Sequence, residues 1–345
     1  MSTSSTPLRL GILSTARIAA QFFSGISDCA AVRVEAIASR DPSQAERFAT
    51  RLGIPRVHPT YSALLADPAL DAVYLPLPNA FHTPWCERAL RAGKHVLCEK
   101  PLTQTLAEAR QLFATAQACG RVLLEAWPYR FQPLTLRLLE LLASGAIGRL
   151  RLLQSYFGFP LDRPDDIRLD ASLGGGALLD VGCYAVSLAR LLTGVRPSRV
   201  QAWARSAASG VDLACHGTLE YPDGTIAQIG CAFDAALLRT ATLIGTRGVI
   251  ETDFANHSTD HGRGVLRLRR SSGWNEAFET IDSIRGNGFA FEAAHFAALI
   301  RGSVVDPGVG PDSDIQRSLD NAATLEALGT SWRNGGQAVT LVTAE

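Results

Sequence analysis

The first third of the chain alternates short apolar segments with helical segments, and this alternation constrains the fold more than any other feature. Helical periodicity is clearest at residues 103–118, and Asp41-Pro42 supplies an N-cap followed by proline at the first helical position. Strand–helix–strand order at this spacing requires parallel pairing with right-handed crossovers. We therefore predict an N-terminal α/β domain with a doubly wound parallel sheet. Its strands are predicted at residues 8–13, 31–38, 70–75, 94–98 and 121–125.

The rest of the chain has a different pattern, in which β-rich segments surround a few helices. The segment Tyr221-Pro-Asp-Gly224 predicts a hairpin turn. The pattern indicates an α+β domain with a large, mostly antiparallel open sheet. We expect domains at residues 1–126 and 127–345, with the last helix able to pack back on the first domain. Strands are predicted at residues 149–158, 198–206, 211–220, 225–233, 239–246 and 264–270, and helices near 133–143, 176–193, 288–301 and 313–332.

Composition argues against several classes of protein. Lysine plus arginine equals aspartate plus glutamate at 33 each, so no net field attracts nucleic acid or anionic lipid. The polar start Met1-Ser-Thr-Ser-Ser-Thr-Pro7 lacks a signal-peptide pattern, and no 18 apolar residues run together. We expect a cytoplasmic protein without a membrane span.

The seven cysteines are scattered and never form a Cys-x-x-Cys pair. Disulfide frameworks and zinc sites need tighter spacing, and no His/Cys cluster has the spacing of metal ligands. We expect buried, reduced thiols and no bound metal.

A candidate nucleotide turn, Gly11-Ile-Leu-Ser-Thr-Ala16, follows the first strand and opens a helix. Such a turn places backbone N–H groups and the positive end of the helix against a pyrophosphate. Leu13 stands where the dinucleotide fingerprint has its second glycine, which weakens the motif. The alternative is a tight turn with no ligand.

The end of the second strand indicates which dinucleotide binds. NAD enzymes usually have an acidic residue there for the ribose hydroxyls, whereas this chain has Ser39-Arg40. Arg40 can form a forked, charge-assisted pair with a 2′-phosphate. This favours NADP over NAD, although a surface arginine before a helix is the plain alternative.

A lysine closes the fourth strand, in Glu99-Lys100-Pro101. Ligands of open α/β sheets bind at the carboxyl ends of the strands, where Lys100 can stabilise a developing alkoxide. Pro101 fixes the exit of the chain and is a candidate for a cis bond. The alternative reading of Lys100 is an ordinary solvated lysine.

A glycine run, Gly174-Gly-Gly176, leads into an apolar helix that carries Asp180 and Tyr184. Glycines let the chain pass close to a ligand, and residues four apart share a helix face. A phenol beside an ammonium group has a lowered pKa and becomes a usable proton acceptor. The alternative is a capping aspartate and a core tyrosine.

The chain resembles the glucose–fructose oxidoreductase / inositol dehydrogenase / rhizopine catabolism family. The resemblance rests on the nucleotide turn, Leu77-Pro-Asn79 with His82, the Glu-Lys-Pro triplet, and Asp180 with Tyr184. The tyrosine, with Glu125-Ala-Trp-Pro-Tyr-Arg-Phe131, is similar to the branch of dimeric dihydrodiol dehydrogenases, NADP-dependent xylose dehydrogenases and glucose–fructose oxidoreductase. Pro128 and Gln132 depart from that pattern, which leaves the substrate open.

The resemblance implies a role for each matching residue. Lys100 and Tyr184 would be the catalytic pair, with Asp180 orienting the substrate or Tyr184. The substrate, a sugar, polyol or cyclic diol, would meet Lys100, Asp180 and Tyr184. We expect the loop at residues 162–170, which precedes the glycine run, to be solvated; the alternative is that Arg168 reaches the substrate from it. The implied cofactor-binding residues are Gly11, Leu13, Ser14, Thr15, Ala16, Arg17, Ile18, Ser39, Arg40, Pro76, Asn79, His82, Glu99, Lys100, Trp127 and Arg130.

The resulting hypothesis is an NADP- or NAD-dependent dehydrogenase acting on CH–OH groups. Alternatives of similar fold are a reductase of another carbonyl or imine and a nucleotide-sensing regulator without catalysis. The resemblance also implies a homo-oligomer, a dimer or tetramer formed through the second sheet, with no nucleic-acid or membrane partner.

Overall fold

The computed structural model divides the chain into two compact units, each made of segments distant in sequence. It describes residues 6–253, 264–271, 273, 276–281, 286–303 and 311–341, with only the main chain of residues 311–313. The start of the chain, on which the expectation about a signal peptide rests, lies largely outside these residues. Unit 1 comprises residues 1–103, 107–128 and 287–316, and unit 2 comprises residues 104–106, 129–286 and 317–345.

Unit 1 contains a six-stranded parallel sheet in the order β3-β2-β1-β4-β5-β6. This confirms the predicted doubly wound sheet, whose strand order reverses between β1 and β4. Ligands of such sheets bind at this reversal, outside the carboxyl ends of the strands. The strands are β1 (Leu8–Leu13), β2 (Val32–Ala38), β3 (Arg56–His58), β4 (Ala72–Leu75), β5 (His95–Glu99) and β6 (Leu123–Ala126).

Helices cover both faces of this sheet. Asp41 caps α2 as predicted, because its side chain accepts from the main-chain N–H groups of Ser43 and Gln44. The helices that precede the second unit are α1 (Arg17–Gly25), α2 (Pro42–Leu52), α3 (Tyr61–Leu65), α4 (His82–Arg91) and α5 (Leu106–Ala118).

A late helix completes one of these faces. Phe22 of α1 stacks on Tyr74 with ring centroids 4.0 Å apart and meets Phe289 edge-on at 5.8 Å. Phe289 belongs to α8 (Gly288–Ile300), which buries Phe296 in the same core. The helix that packs against the first sheet is therefore α8. Most of α9 (Pro311–Arg333) belongs to unit 2.

Unit 2 contains a nine-stranded sheet in the order β14-β13-β12-β11-β7-β10-β9-β8-β15. Among the described strands of this second sheet, only β7 and β10 pair in parallel, so the predicted, mostly antiparallel sheet is confirmed. The strands are β7 (Leu150–Gly158), β8 (Arg199–Ser206), β9 (Asp212–Glu220), β10 (Ile226–Ala232), β11 (Leu238–Gly245), β12 (Val249–Thr252), β13 (Leu266–Arg269), β14 (Glu279–Ile281) and β15 (Val339–Thr340).

The helices of unit 2 lie against one face of this sheet. They are α6 (Pro133–Ala143), α7 (Cys183–Thr193) and most of α9, and Arg190 pairs with the buried Asp320 at 2.6 Å. The helical stretch Ala171–Thr193 is long and apolar enough to cross a membrane, since its 18 most apolar consecutive residues have a mean hydropathy of 1.3. Of these residues, 72% are buried inside the protein. Core helices have the same character, and α7 contacts β7 and β10.

Candidate active site

The turn after β1 leaves the first turn of α1 open toward the carboxyl edge of the sheet. Ser14 has φ 137°, a conformation that favours glycine, and its hydroxyl accepts from the N–H of Ala16 at 3.0 Å. Among the described residues, no side chain caps α1, whose N-cap is Ala16. The N–H groups that follow, beginning at Arg17, can therefore bind a pyrophosphate.

Two residues expected in this turn also serve the packing of the core, and their contact with a cofactor stays a prediction. Gly11 lies within β1, and a Cβ there would come within 2.7 Å of Leu64 and 2.9 Å of Leu70, so its small size serves the packing of α3. The Leu13 side chain is fully buried in the core and cannot contact a nucleotide. The glycine-like conformation belongs to Ser14, so Leu13 does not obstruct the turn. Thr15 and Ile18 are half-buried nearby.

The end of β2 separates a buried serine from an exposed arginine. Ser39 is buried and its hydroxyl accepts from the N–H of Asp41 at 3.3 Å, whereas Arg40 is exposed. The Ser43 hydroxyl and the Gln44 N–H hold the pKa of Asp41 below its usual value. The Asp41 charge is thus committed to the start of α2, and Arg40 remains a cation facing solvent.

His82 holds two loops together at the carboxyl edge. Its ring is fully buried, with Nδ1 2.8 Å from the Pro101 carbonyl oxygen and Nε2 2.8 Å from that of Leu77. Burial lowers its pKa, so a neutral ring donates to one of the two carbonyls. These contacts make His82 a support for the loops, and its contact with a cofactor stays a prediction. Pro76 is buried, and Asn79 opens the 3-10 turn before α4.

Lys100 follows the end of β5 with its side chain half-exposed. The preceding Glu99 is buried: one carboxylate oxygen accepts from the Tyr74 hydroxyl at 2.6 Å and the other from the Lys100 N–H at 3.3 Å. The Lys100–Pro101 bond is cis, as suspected from the sequence. Glu99 therefore anchors the main chain from which the lysine projects, and its contact with a cofactor stays a prediction.

Lysine is rare in this protein. Only Lys94 and Lys100 are lysines among the 33 basic residues, all others being arginine. Lys94 is buried, and its ammonium donates to the carbonyl oxygens of Asp67 at 2.6 Å and Leu70 at 2.8 Å. Lys94 is thus structural, and Lys100 is the more exposed of the two lysines.

Two further cofactor candidates lie on either side of the division between the units. Trp127 is 1% exposed and lies near the end of the 107–128 segment of unit 1, whereas Arg130 is 7% exposed and belongs to unit 2. The Arg130 guanidinium lies 5.3 Å from the Phe131 ring centroid. Each is a buried side chain, and their contact with a cofactor stays a prediction.

In unit 2, Asp180 forms an ion pair with Arg168. The Arg168 Nε lies 2.6 Å from an Asp180 oxygen, and a second guanidinium nitrogen lies 3.2 Å from Asp166. Burial alone would lower the pKa of Arg168, but these carboxylates raise it. Asp180 belongs to a π-helical turn, Leu178–Gly182, and such turns are common at functional sites. The two predicted substrate residues are thus direct partners.

Tyr184 lies one turn further, at the start of α7, among aromatic rings. It is 5% exposed, with its ring centroid 5.6 Å from that of Phe157 and 6.1 Å from that of Tyr129. Tyr129 is tied to Ser187 by a hydroxyl–hydroxyl contact of 2.8 Å. Packing against these aromatic side chains therefore fixes the position of the largely buried Tyr184 ring.

The glycine run is required by the protein's own packing. A Cβ on Gly175 would lie 2.4 Å from the Arg168 carbonyl oxygen, and one on Gly176 would lie 2.3 Å from an Asp212 oxygen. The Asp212 carboxylate also accepts from the Leu178 N–H at 2.6 Å. These glycines position the start of the helical stretch that carries Asp180 and Tyr184, and no ligand is needed to explain them.

One charged residue near Tyr184 was missed from the sequence. Arg239 of β11 places its guanidinium 5.5 Å from the Phe157 ring centroid. The available signal was an arginine in the alternating pattern of a predicted strand, on the same face as the buried Ala241 and Leu243. Such a position is unusual for a charge and indicates a function or a partner.

The fold and its open helix terminus define a dinucleotide-binding oxidoreductase type of domain joined to a β-rich domain. Residues 8–126 match the oxidoreductase family with an NAD-binding Rossmann fold, and residues 135–251 match the GFO/IDH/MocA C-terminal domain. The chain belongs to this GFO/IDH/MocA oxidoreductase family, which confirms the resemblance seen in the sequence.

Similar proteins include named dehydrogenases and a reductase. D-xylose 1-dehydrogenase (NADP(+)) 2 of Haloferax volcanii is 38% identical over 95% of this chain and 98% of its own length. Trans-1,2-dihydrobenzene-1,2-diol dehydrogenase of Mus musculus is 36% identical over 71% of this chain and 74% of its own.

A solved relative has also been studied as substituted variants. The 3-ketoreductase of Actinomadura kijaniata, in complex with NADP and TDP-benzene, has a TM-score of 0.86 at 31% identity, over 94% of this chain and 98% of its own. Its solved variants include a lysine-to-alanine and a tyrosine-to-phenylalanine substitution. Those two residues are separated by the same interval as Lys100 and Tyr184.

Proposed function

We propose that this protein is an NADP-dependent oxidoreductase that transfers a hydride between nicotinamide and the carbinol carbon of a sugar, polyol or cyclic diol. The observation that carries the proposal is the position of Lys100, at the same carboxyl edge of the sheet as the uncapped first turn of α1. A dinucleotide bound along this edge with its pyrophosphate at α1 would extend over the strand ends.

The cofactor fits residues that the structure offers at separate points of this edge. The open α1 terminus suits the pyrophosphate, and the exposed Arg40 suits a 2′-phosphate. When bound, the nicotinamide supplies the carbon that gives or takes the hydride.

The chain's own residues handle the proton. Tyr184 accepts the proton of the substrate hydroxyl, while the Lys100 ammonium donates a hydrogen bond to the oxygen on which negative charge develops. Asp180 and Arg168 bind the remaining hydroxyls as a paired unit, since their 2.6 Å contact joins them. The interval that Lys100 and Tyr184 share with the two substituted residues of the ketoreductase supports this assignment.

The direct test is an assay with candidate substrates. The purified protein would be incubated with NADP and a panel of aldoses, polyols and cyclic diols, and with NADPH and the matching carbonyl compounds. Absorbance of the reduced nicotinamide reports turnover. Binding of NADP without turnover of any of these compounds would favour a nucleotide-sensing regulator, and turnover of carbonyl or imine compounds unrelated to sugars would favour the other reductase.

Replacing Arg40 by alanine is expected to raise the KM for NADP by roughly tenfold and to change the KM for NAD much less. The reason is loss of a charge-assisted contact with the 2′-phosphate, which only NADP carries. Arg33→Ala, a change of an exposed arginine on β2, serves as the control. Equal effects of Arg40→Ala on the two cofactors would contradict the preference for NADP.

We also propose a homo-oligomer formed through the face of the second sheet opposite its helices. Trp203 on this face is 54% exposed, and its neighbour across the β8–β9 pair, His216, is also exposed. Exposed tryptophans on a sheet face are typical of interfaces. Trp203→Glu is expected to shift the protein toward monomer in sedimentation equilibrium, and an unchanged mass would contradict this interface.

Seven free cysteines suit the cytosol, where we place the protein.

A further inference from the structure

Strand β11 carries an arginine, Arg239, on the face of the second sheet against which α7 packs. Arg239 pairs in register with Phe157 of β7, and in each strand the next residue that faces inward lies two positions away. On β11 these inward positions are the fully buried Ala241 and Leu243. Since side chains alternate along a strand, Arg239 lies on the core side of the sheet and not on its open side.

Phe157 connects this arginine to Tyr184. The Arg239 guanidinium carbon lies 5.5 Å from the centroid of the Phe157 ring, and that ring meets the Tyr184 ring edge-on at 5.6 Å. A cation over an aromatic face is held there by the ring quadrupole. The guanidinium and the phenol ring are therefore neighbours of the same Phe157 ring, within a single unit of the protein.

The charges of the two groups interact. Burial lowers the pKa of Arg239, whereas the negative charges of Tyr184 and Asp253 raise it. Electrostatic interaction is mutual, so a group that is stabilised by the phenolate stabilises the phenolate by the same amount. On the described elements packed against this cluster, further titratable or charged groups are Tyr129, Arg130, Arg168, Asp180, Cys183 and Cys231.

We propose that Arg239 is a positioning residue that favours the phenolate form of Tyr184 through its charge, without itself touching the substrate. This inference rests on the proposed function, in which Tyr184 accepts the substrate proton. It gives the phenol a cation in its own unit, in addition to the proposed Lys100. Tyr184 would then remain a phenolate, ready to accept a proton, while substrate enters and leaves.

The test is the pH profile of kcat/KM for oxidation in Arg239→Gln. Removal of the cation disfavours the phenolate, so the pKa of Tyr184 rises and the acidic limb moves up by about one pH unit. Arg239→Lys should retain most of the wild-type profile because it keeps a charge. Arg267→Gln, at an exposed position of β13, is the matched control and should leave the profile unchanged.

A spectroscopic titration gives a readout that does not need turnover. The ultraviolet phenolate signal of the wild type minus that of Tyr184→Phe reports Tyr184, and the same difference in the Arg239→Gln background should shift to higher pH. Arg239→Met replaces the glutamine variant if the latter does not fold. Unshifted profiles and titrations, alongside an inactive Tyr184→Phe, would overturn the role of Arg239 alone. Full activity of Tyr184→Phe would instead overturn the proposed function.

Discussion

Lys100→Met is expected to lower kcat by about two to four orders of magnitude while leaving the affinity for NADP nearly intact. The substitution removes the ammonium that would stabilise negative charge on the substrate oxygen, and it leaves an unbranched side chain that is shorter by one atom. Glu99 and His82 hold the surrounding main chain through the Lys100 N–H and the Pro101 carbonyl, so the loop should keep its shape. The measurements are steady-state kinetics and calorimetric titration with NADP.

Lys100→Arg is the informative companion. It keeps the positive charge but spreads it over a planar fork, which cannot replace a compact ammonium donor at a defined point. We expect a smaller loss than with methionine, but not recovery of the wild-type rate. If turnover of Lys100→Met is undiminished, the assignment of Lys100 is wrong, whatever the arginine variant does.

Tyr184→Phe is expected to lower kcat by about two to four orders of magnitude as well, because no oxygen remains to accept the substrate proton. The ring itself should stay in place, since its neighbours Phe157 and Tyr129 contact the aromatic body. NADP affinity and the free energy of unfolding should therefore change little. Stopped-flow measurement of the hydride step, with titration of NADP, checks both expectations.

Tyr129→Phe is the matched control for this prediction. It removes another buried phenol beside Tyr184, one whose hydroxyl bonds to Ser187. We expect about 1 kcal/mol lost from the free energy of unfolding and retained turnover. Equal loss of activity in the two variants would mean that disturbed packing, and not a missing proton acceptor, explains the effect of Tyr184→Phe.

Much of the fold could be predicted because apolar periodicity is strong in the long elements. Residues 8–13 and 133–143 were placed without error as β1 and α6. The edge strand β3 was missed, since three half-buried residues, Arg56–His58, give no alternation. The place of α8 was also missed, because periodicity shows that a helix has an apolar face but not which sheet covers it.

The candidate site shows the same limit. Motifs located Lys100 and the Asp180–Tyr184 pair, because each follows a recognisable strand or glycine run. Arg239 could not be found in this way, since its relation to Tyr184 depends on the pairing register of β11 with β7. The packing role of Gly11 was missed for a related reason: its lack of a side chain serves α3, a contact that the local sequence does not reveal.

The place of α8 in unit 1 has a consequence for synthesis on the ribosome. Phe22 and Tyr74 emerge early, whereas Phe289 and Phe296, which share their core, come more than two hundred residues later. Amino-terminal domains usually fold while the rest of a chain is still being made. Here one apolar wall of the nascent nucleotide-binding domain stays uncovered until residues 129–286 of the β-rich domain, and then α8, have left the ribosome.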